Sequence, residues 1–149
     1  MQLIDFLAQD FILPDLQAKT KSEVLEELIQ PLAARWPEFD LKKAKKILLE
    51  REKLGSTGIG DGIAIPHGKT DNLENVVVVV GRSHEGVEFA ALDKKPCYIF
   101  VLVLAHEEVA GMHLRILAHV SRLLKDETFR QAFLQAEGAK GLWDLLSSA

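Results

Sequence analysis

The sequence predicts an α/β layered domain in which helices at both ends of the chain enclose central hydrophobic strands. Apolar residues recur at helical intervals before Gly55 and after Gly111, whereas Val76–Val80 and Pro96–Ala105 are short, continuous apolar runs. The chain has 149 residues, of which 48% are hydrophobic, and this is enough for a core without metal or disulfide support. We therefore expect one domain over residues 1–149.

Two helices are predicted in the first third of the chain. Thr20 and Glu23 have the spacing of a capping box, and apolar residues follow at helical intervals, so a helix should begin here. Pro31 should end or kink this helix near its last turn. A second helix is expected from about residue 40 to residue 53, and Gly55 behind it is a typical helix stop.

The middle of the chain is predicted to form strands. Residues Gly55–Lys69 read GSTGIGDGIAIPHGK, in which a flexible glycine turn leads into the short apolar strand Ile63–Ile65. The valines at Val76–Val80 and the run Pro96–Ala105 favour strands buried on both faces. A weaker strand is expected around Val87–Phe89.

Helices are expected again in the last third of the chain. The first should span about residues 111–125. Its inward face should consist of Leu114, Leu117, Val120 and Leu124. Asp126 can cap a further helix over residues 127–136, which Gly138 should end. Residues 142–146 are expected to form a last short turn.

Charge and composition argue against several classes of partner. The chain carries 18 Lys and Arg against 22 Asp and Glu, whereas nucleic-acid-binding domains usually carry a basic excess. The apolar run Tyr98–Ala105 is far shorter than the roughly 20 residues of a membrane span, and Asp5 and Asp10 interrupt the apolar start of the chain. Cys97 is the one cysteine, so no internal disulfide can form. We therefore expect a soluble cytoplasmic protein with no nucleic-acid partner and no membrane insertion.

The glycine-rich segment does not complete a nucleotide-binding motif. A phosphate loop G-x-x-x-x-G-K-[ST] that ends at Gly68-Lys69-Thr70 requires glycine at position 63, where the chain has Ile63. The same isoleucine breaks a dinucleotide fingerprint that would begin at Gly58. We therefore expect no nucleotide and no other cofactor.

The histidines outside this segment form no metal motif. His106 does not start an H-E-x-x-H motif, because residue 110 is alanine, and His113 and His119 lie on different faces of a helix. We expect no metal ion, surface positions for His84 and His106, and a helix-face position without a role for His119.

His67, which follows the short apolar strand, is the candidate reactive residue. A neutral imidazole is a good nucleophile toward phosphorus, and the small residues around His67 leave room for a partner. Donors for phosphoryl oxygens could come from Arg51 at the end of the second helix or from the hydroxyls of Ser56 and Thr57. They could also come from His113 near the start of a later helix. Each residue equally suits an ordinary structural role, and spacing alone does not bring them together.

Three segments carry a family resemblance: Arg51-Glu52, the run GSTGIGDGIAIPHGK at Gly55–Lys69, and Met112-His113-Leu114 in the later helix. With them the chain resembles the IIA component of the bacterial phosphoenolpyruvate-dependent phosphotransferase system, of the mannitol/fructose class. The loop is most similar to the nitrogen-regulatory branch of this class. The resemblance extends over nearly the whole chain, to the closing segment Leu142–Leu145. It implies a single domain with a central mixed β-sheet flanked by helices.

The resemblance also implies the site residues. His67 would accept a phosphoryl group on Nε2, with Nδ1 oriented by a backbone carbonyl. His113 would be the second active-site histidine, which hydrogen-bonds the phosphoryl group, and Arg51 would be the cation that stabilises it. Ser56 and Thr57 match loop positions that line the pocket in this family.

Three functions are compatible with these residues. The first is a regulatory IIA protein that accepts phosphate from HPr, or from its nitrogen-type equivalent, and binds different targets when phosphorylated. The second is a sugar-specific IIA protein that passes phosphate to the IIB component of a fructose- or mannitol-type permease. The third, from another class, is a binding module that retains the fold and transfers nothing. The presence of His67, His113 and Arg51 together argues against the third.

Overall fold

The structure is a computed structural model that describes residues 2–149. Its α-helices are α1 (Lys21–Arg35), α2 (Leu41–Lys53), α3 (Ala110–Lys125), α4 (Glu127–Gln135) and α5 (Gly138–Ser147). Its strands are β1 (Ile12–Leu13), β2 (Gly58–Gly60), β3 (Ile63–Ala64), β4 (His67–Lys69), β5 (Val77–Val87) and β6 (Cys97–Ala105). Short 3₁₀ turns lie at Leu3–Phe6, Gln9–Phe11 and Glu107–Val109. Over residues 2–149, no helix has the length and apolar composition needed to cross a membrane.

The strands form one mixed sheet. Its order is β1-β5-β6-β3-β2, and β4 pairs with β6 beyond β3. The pairs β1–β5, β3–β6 and β4–β6 are parallel, whereas β5–β6 and β2–β3 are antiparallel. The mixed sheet flanked by helices that the family resemblance implies is therefore confirmed.

The antiparallel pair of β5 and β6 forms the centre of the sheet. Residues 78–80 and 102–104 are completely buried, and consecutive strand residues point to opposite faces, so both faces of this pair are covered. Helix α1 contacts β5, and α3 contacts β6. The two strongest strand predictions are thus confirmed. The separate weak strand predicted around Val87–Phe89 is wrong, because β5 continues through a register irregularity as far as Val87.

The two N-terminal helices begin where the sequence predicts. The hydroxyl of Thr20 accepts a hydrogen bond from the backbone N–H of Glu23 at 3.3 Å, and Asp40 caps α2 in the same way. Pro31 was predicted to end or kink α1 near its last turn. It does not end the helix, because α1 continues to Arg35. Proline removes one backbone hydrogen bond, and burial of the apolar face on both sides of it offsets that loss.

The C-terminal helices differ from the predicted pattern in two respects. Leu114, predicted to face inward, is 66% exposed, and His113 occupies the first buried position of the α3 stripe. A polar residue on the core side is invisible to a search for apolar spacing. Asp126 caps α4 as predicted. Gly138 begins α5 rather than ending α4, and α5 is a helix of ten residues where a short turn was expected.

Candidate functional site

The fold brings the end of the glycine-rich segment beside the start of α3. Strand β4 begins at His67, which pairs in parallel register with Val103 near the end of β6. The backbone N–H of Val103 donates to the carbonyl of Pro66 at 2.9 Å and fixes the chain just before His67. After β6 ends, the chain turns into α3, which packs against β6. His113 in the first turns of α3 therefore lies next to His67, and their ring centroids are 5.8 Å apart.

The ring of His67 is held through both of its nitrogens. Nδ1 lies 2.8 Å from the carbonyl oxygen of Ile65, and Nε2 lies 3.3 Å from Nε of Arg51. Because a carbonyl can only accept and a guanidinium can only donate, these partners assign the proton to Nδ1 and the lone pair to Nε2. The backbone carbonyl that orients His67 is thus that of Ile65. The lone pair of the ring is therefore on Nε2.

Arg51 is a cation in direct contact with that nitrogen. It lies in the last turn of α2 and is half-buried. Besides contacting His67, it donates from Nη1 to the carbonyl oxygen of Gly55 at 2.9 Å. One planar guanidinium therefore joins the His67 ring to the turn that follows α2, as a fork of fixed geometry can.

His113 is buried, with 3% of its surface exposed. Burial lowers its pKa below the ordinary value of 6.5, and the neighbouring His67 lowers it further. A hydrogen bond with the backbone of Val103 acts in the opposite direction, and Lys69 adds a small lowering effect. Its Nε2 atom is buried and has no hydrogen-bond partner within residues 2–149. A buried imidazole with an unsatisfied nitrogen therefore lies beside the ring of His67.

Ser56 bonds within the loop, whereas Thr57 bonds to the end of α2. The hydroxyl of Ser56 accepts a hydrogen bond from the backbone N–H of Gly58 at 3.1 Å. Thr57 is buried, and its hydroxyl donates to the carboxylate of Glu52, which also accepts from the Thr57 backbone N–H at 3.0 Å. These contacts turn the Thr57 hydroxyl toward α2. The structure thus brings His67, His113 and Arg51 together. Thr57 instead bonds to the carboxylate of Glu52.

Glu52 is a residue of this region to which the sequence analysis assigned no role. It is 8% exposed, and besides Thr57 its carboxylate contacts Nζ of Lys21 at 3.0 Å. The amine of Lys21 also lies 4.7 Å from the centre of the Phe89 ring. The sequence offered one signal for Glu52, which is its position directly after Arg51. Neighbouring residues on a helix point to different sides, so these two side chains had to lie in different surroundings.

The remaining histidines lie in other surroundings. His84 is exposed and its Nε2 contacts Asp15 at 2.7 Å, while Nδ1 of His106 accepts from the backbone N–H of Glu108 at 3.1 Å. His119 is partly buried on α3. Within residues 2–149, no group of three or more His, Cys, Asp or Glu side chains has the geometry of a metal site.

The His67 site is separate from a cavity at another place in the protein. That cavity, of about 790 Å³, lies between the start of the chain and the end of α1, where Phe11, Trp36 and Phe39 line it. His67 and Arg51 are both half-exposed at the surface. The His67 ring is therefore partly accessible at the surface and does not line that cavity.

The amino-acid sequence is similar to proteins of one phosphotransferase family. The family model described as "Phosphoenolpyruvate-dependent sugar phosphotransferase system, EIIA 2" matches residues 5–149. The nitrogen regulatory protein of Bradyrhizobium diazoefficiens is 33% identical over 147 residues, which are 99% of this chain and 95% of that protein. The fructose-specific EIIABC component of Bacillus subtilis is also 33% identical over 147 residues, which are 99% of this chain. The chain spans only 23% of the length of that second relative.

The fold is similar to a solved structure of the same family. The crystal structure of the nitrogen regulatory protein IIA-Ntr from Neisseria meningitidis has a TM-score of 0.88 and 29% sequence identity. The similarity covers 95% of this chain and 97% of that chain. Sequence and fold agree, and the chain belongs to the EIIA 2 family of the phosphoenolpyruvate-dependent sugar phosphotransferase system.

Proposed function

We propose that this protein is a phosphoryl carrier that accepts a phosphoryl group on Nε2 of His67 from HPr or a nitrogen-type HPr, and that its phosphorylation state regulates target proteins. The main support is the orientation of the His67 ring. Its Nδ1 atom donates to the Ile65 carbonyl at 2.8 Å, so that the lone pair of Nε2 is available. The proposal treats residues 1–149 as one cytoplasmic domain that needs no cofactor.

The transfer step exchanges one N–P bond for another. The lone pair on Nε2 of His67 attacks the phosphorus of the donor's phosphohistidine. As the new N–P bond forms, the donor's N–P bond breaks, and its electron pair stays on the donor's imidazole nitrogen. The proton on Nδ1 of His67 remains in place. The phosphorylated ring is then cationic, and the Ile65 carbonyl stabilises it by accepting that proton's hydrogen bond.

Arg51 and His113 supply the electrostatic part of this step. The guanidinium of Arg51 already lies 3.3 Å from Nε2 and can donate to the oxygens of the arriving group. His113 is neutral beforehand because burial and His67 lower its pKa. A phosphoryl dianion beside the ring favours the protonated form, so the unpartnered Nε2 of His113 can then donate to a phosphoryl oxygen.

The regulatory role is the form of the proposal that we favour. It is supported by 33% identity to the nitrogen regulatory protein of B. diazoefficiens and by the fold of the N. meningitidis protein. The equal identity to a fructose-specific EIIABC component supports a second candidate, in which His67 passes phosphate to a IIB component. The first step is the same in both, and the two differ in the acceptor.

Intact-mass spectrometry tests the first step. The protein is mixed with phosphoenolpyruvate, enzyme I and either a sugar-type or a nitrogen-type HPr, and His67→Ala is compared with His84→Ala as the control at an exposed histidine. We expect one added phosphoryl group in the wild type and in His84→Ala, and none in His67→Ala. Labelling that persists in His67→Ala contradicts the site. Absence of labelling with either donor favours a binding module that transfers nothing.

The chemical stability of the label identifies the bond. A phosphoramidate on His67 should be lost in acid and retained in alkali. The measurement is the mass of the labelled protein after brief incubation at low and at high pH. The opposite stability would indicate an acyl phosphate or an ester, and His67 would not be the acceptor.

The identity of the acceptor separates the two candidates. Phosphorylated protein is incubated with the IIB component of a fructose- or mannitol-type permease, and loss of the label from the protein is followed. Retention of the label, together with a target protein that binds only one phosphorylation state, supports the regulatory role. Rapid transfer to IIB supports the sugar-specific candidate.

A further inference from the structure

Glu52 is a buried carboxylate that takes no direct part in the proposed transfer. It is 8% exposed and lies in the last turn of α2, beside Arg51. Its two oxygens accept from the backbone N–H and the hydroxyl of Thr57, and from Nζ of Lys21. A buried carboxylate with three donors is satisfied and rigid, since each lost partner would leave charge without compensation. The segment that contains Thr57 is therefore held firmly to α2.

A continuous series of hydrogen bonds leads from Glu52 to the reactive ring. Glu52 holds Thr57 through its N–H and hydroxyl. The carbonyl of Thr57 accepts from the backbone N–H of Ile65 at 3.0 Å. The carbonyl of Ile65 in turn accepts from Nδ1 of His67 at 2.8 Å. The carbonyl that, together with the Arg51 guanidinium, selects the His67 tautomer thus depends for its position on the loop residue that Glu52 anchors.

We propose that Glu52, acting through Thr57 and Ile65, is a positioning residue that holds His67 in the tautomer with the proton on Nδ1 and the lone pair on Nε2. A neutral imidazole in water exchanges its proton between both nitrogens, so the reactive tautomer must be selected by a fixed acceptor. Lys21 contributes by neutralising the buried carboxylate. The expected effect on the rate of phosphoryl transfer rests on the function proposed above, whereas the expected effect on the His67 tautomer does not.

The Thr57 hydroxyl offers the sharpest test, because it can be removed with little change in shape. Thr57→Val loses the bond to Glu52 and retains the backbone contacts, while Thr57→Ser retains the hydroxyl. Glu52→Gln removes the charge, and Glu50→Gln is the matched control at an exposed position on the same helix. The tautomer of His67 is read from the ¹⁵N chemical shifts of its imidazole in the unphosphorylated protein. The rate of phosphoryl acceptance from HPr is measured on the same samples.

We expect Thr57→Val to lower the fraction of the Nδ1–H tautomer and to slow phosphoryl acceptance roughly tenfold or more, since small misplacements of a reacting group have large effects on rate. Thr57→Ser should restore both quantities, and Glu50→Gln should change neither. Folded Glu52→Gln should likewise show a lower fraction of the Nδ1–H tautomer and slower phosphoryl acceptance.

An unchanged His67 tautomer in folded Thr57→Val overturns the proposal, and so does a slower rate without a change of tautomer. Because the tautomer is measured in the absence of a phosphoryl donor, the measurement tests this proposal even when the wild type accepts no phosphoryl group. A wild type that accepts no phosphoryl group would contradict the proposed function alone.

Discussion

Arg51 and His67 are joined by a hydrogen bond of 3.3 Å between Nε of the arginine and Nε2 of the histidine. The arginine thus contacts the atom that, in our proposal, carries the phosphoryl group. Its second bond, from Nη1 to the Gly55 carbonyl at 2.9 Å, holds the guanidinium beside that atom when the first bond is broken. Arg51 can therefore exchange the ring nitrogen for phosphoryl oxygens without leaving its place.

This arrangement predicts that Arg51→Lys is a severe change. A lysine amine is a single point donor and cannot reach the Gly55 carbonyl and Nε2 of His67 together. We expect phosphoryl acceptance to slow roughly a hundredfold, as for the loss of one preorganised donor. Rapid-quench measurement of transfer from HPr checks this, with Lys53→Arg on the same helix as the control. Equal rates in both variants would remove Arg51 from the mechanism.

His113→Gln tests the second histidine with little change in volume, which matters because the residue is buried. We expect the variant to fold and to become phosphorylated on His67, while transfer of the phosphoryl group off His67 slows roughly tenfold for want of an imidazole that takes up a proton. The measurement is the rate at which label leaves the purified phosphorylated variant on addition of unphosphorylated HPr. A rate equal to that of the wild type would exclude a role for His113.

The same residue predicts a pH dependence of stability. The pKa of His113 is lowered in the folded protein, so on acidification below about pH 6.5 the unfolded chain binds a proton that the folded state does not. The stabilisation is complete above the ordinary pKa and is lost as the pH falls toward the folded-state pKa. Between about pH 7.5 and pH 5.5, the wild type should lose more free energy of unfolding than His113→Gln. Urea denaturation at both pH values measures this, and equal losses would contradict it.

Gly58 should be sensitive to a single added carbon. A Cβ at this position would lie 2.8 Å from Cβ and 2.9 Å from Cα of Ala91, so the backbone of β2 or of the facing loop must move. We expect Gly58→Ala to lower the free energy of unfolding by about 1–3 kcal/mol. Gly111→Ala is the matched control, because a Cβ in this helical position meets nothing within 4 Å. Denaturant titration distinguishes the two, and an equally stable Gly58→Ala would show that the contact relaxes freely.

Elements defined by nearby residues were predictable from the sequence. The capping box of Thr20 and Glu23, the cap at Asp126 and the valine strand all appear in the structure, because each is indicated by residue type or by short-range spacing. The errors occurred where tertiary packing outweighs a local preference. Pro31 lies within α1, and Leu114 is exposed while His113 is buried.

The buried guanidinium of Arg82 shows why some core residues escape a sequence analysis. It donates to the backbone carbonyls of Pro14, Phe133 and Ala136, which belong to two separate parts of the chain. An arginine within a strand normally indicates a solvent-facing position. Its acceptors are main-chain groups, which carry no residue-specific signal in the sequence.

The sequence by itself determined the helices, the central strands and the motif that singles out His67, because these depend on residue type and short-range spacing. Only the tertiary structure decided that Arg51, Ile65 and His113 converge on that ring. Arg51 and His113 lie on α2 and α3, which pack from distant parts of the chain around the parallel pairing of β4 with β6. Contacts of this kind depend on how whole elements pack, and no spacing along the chain specifies them.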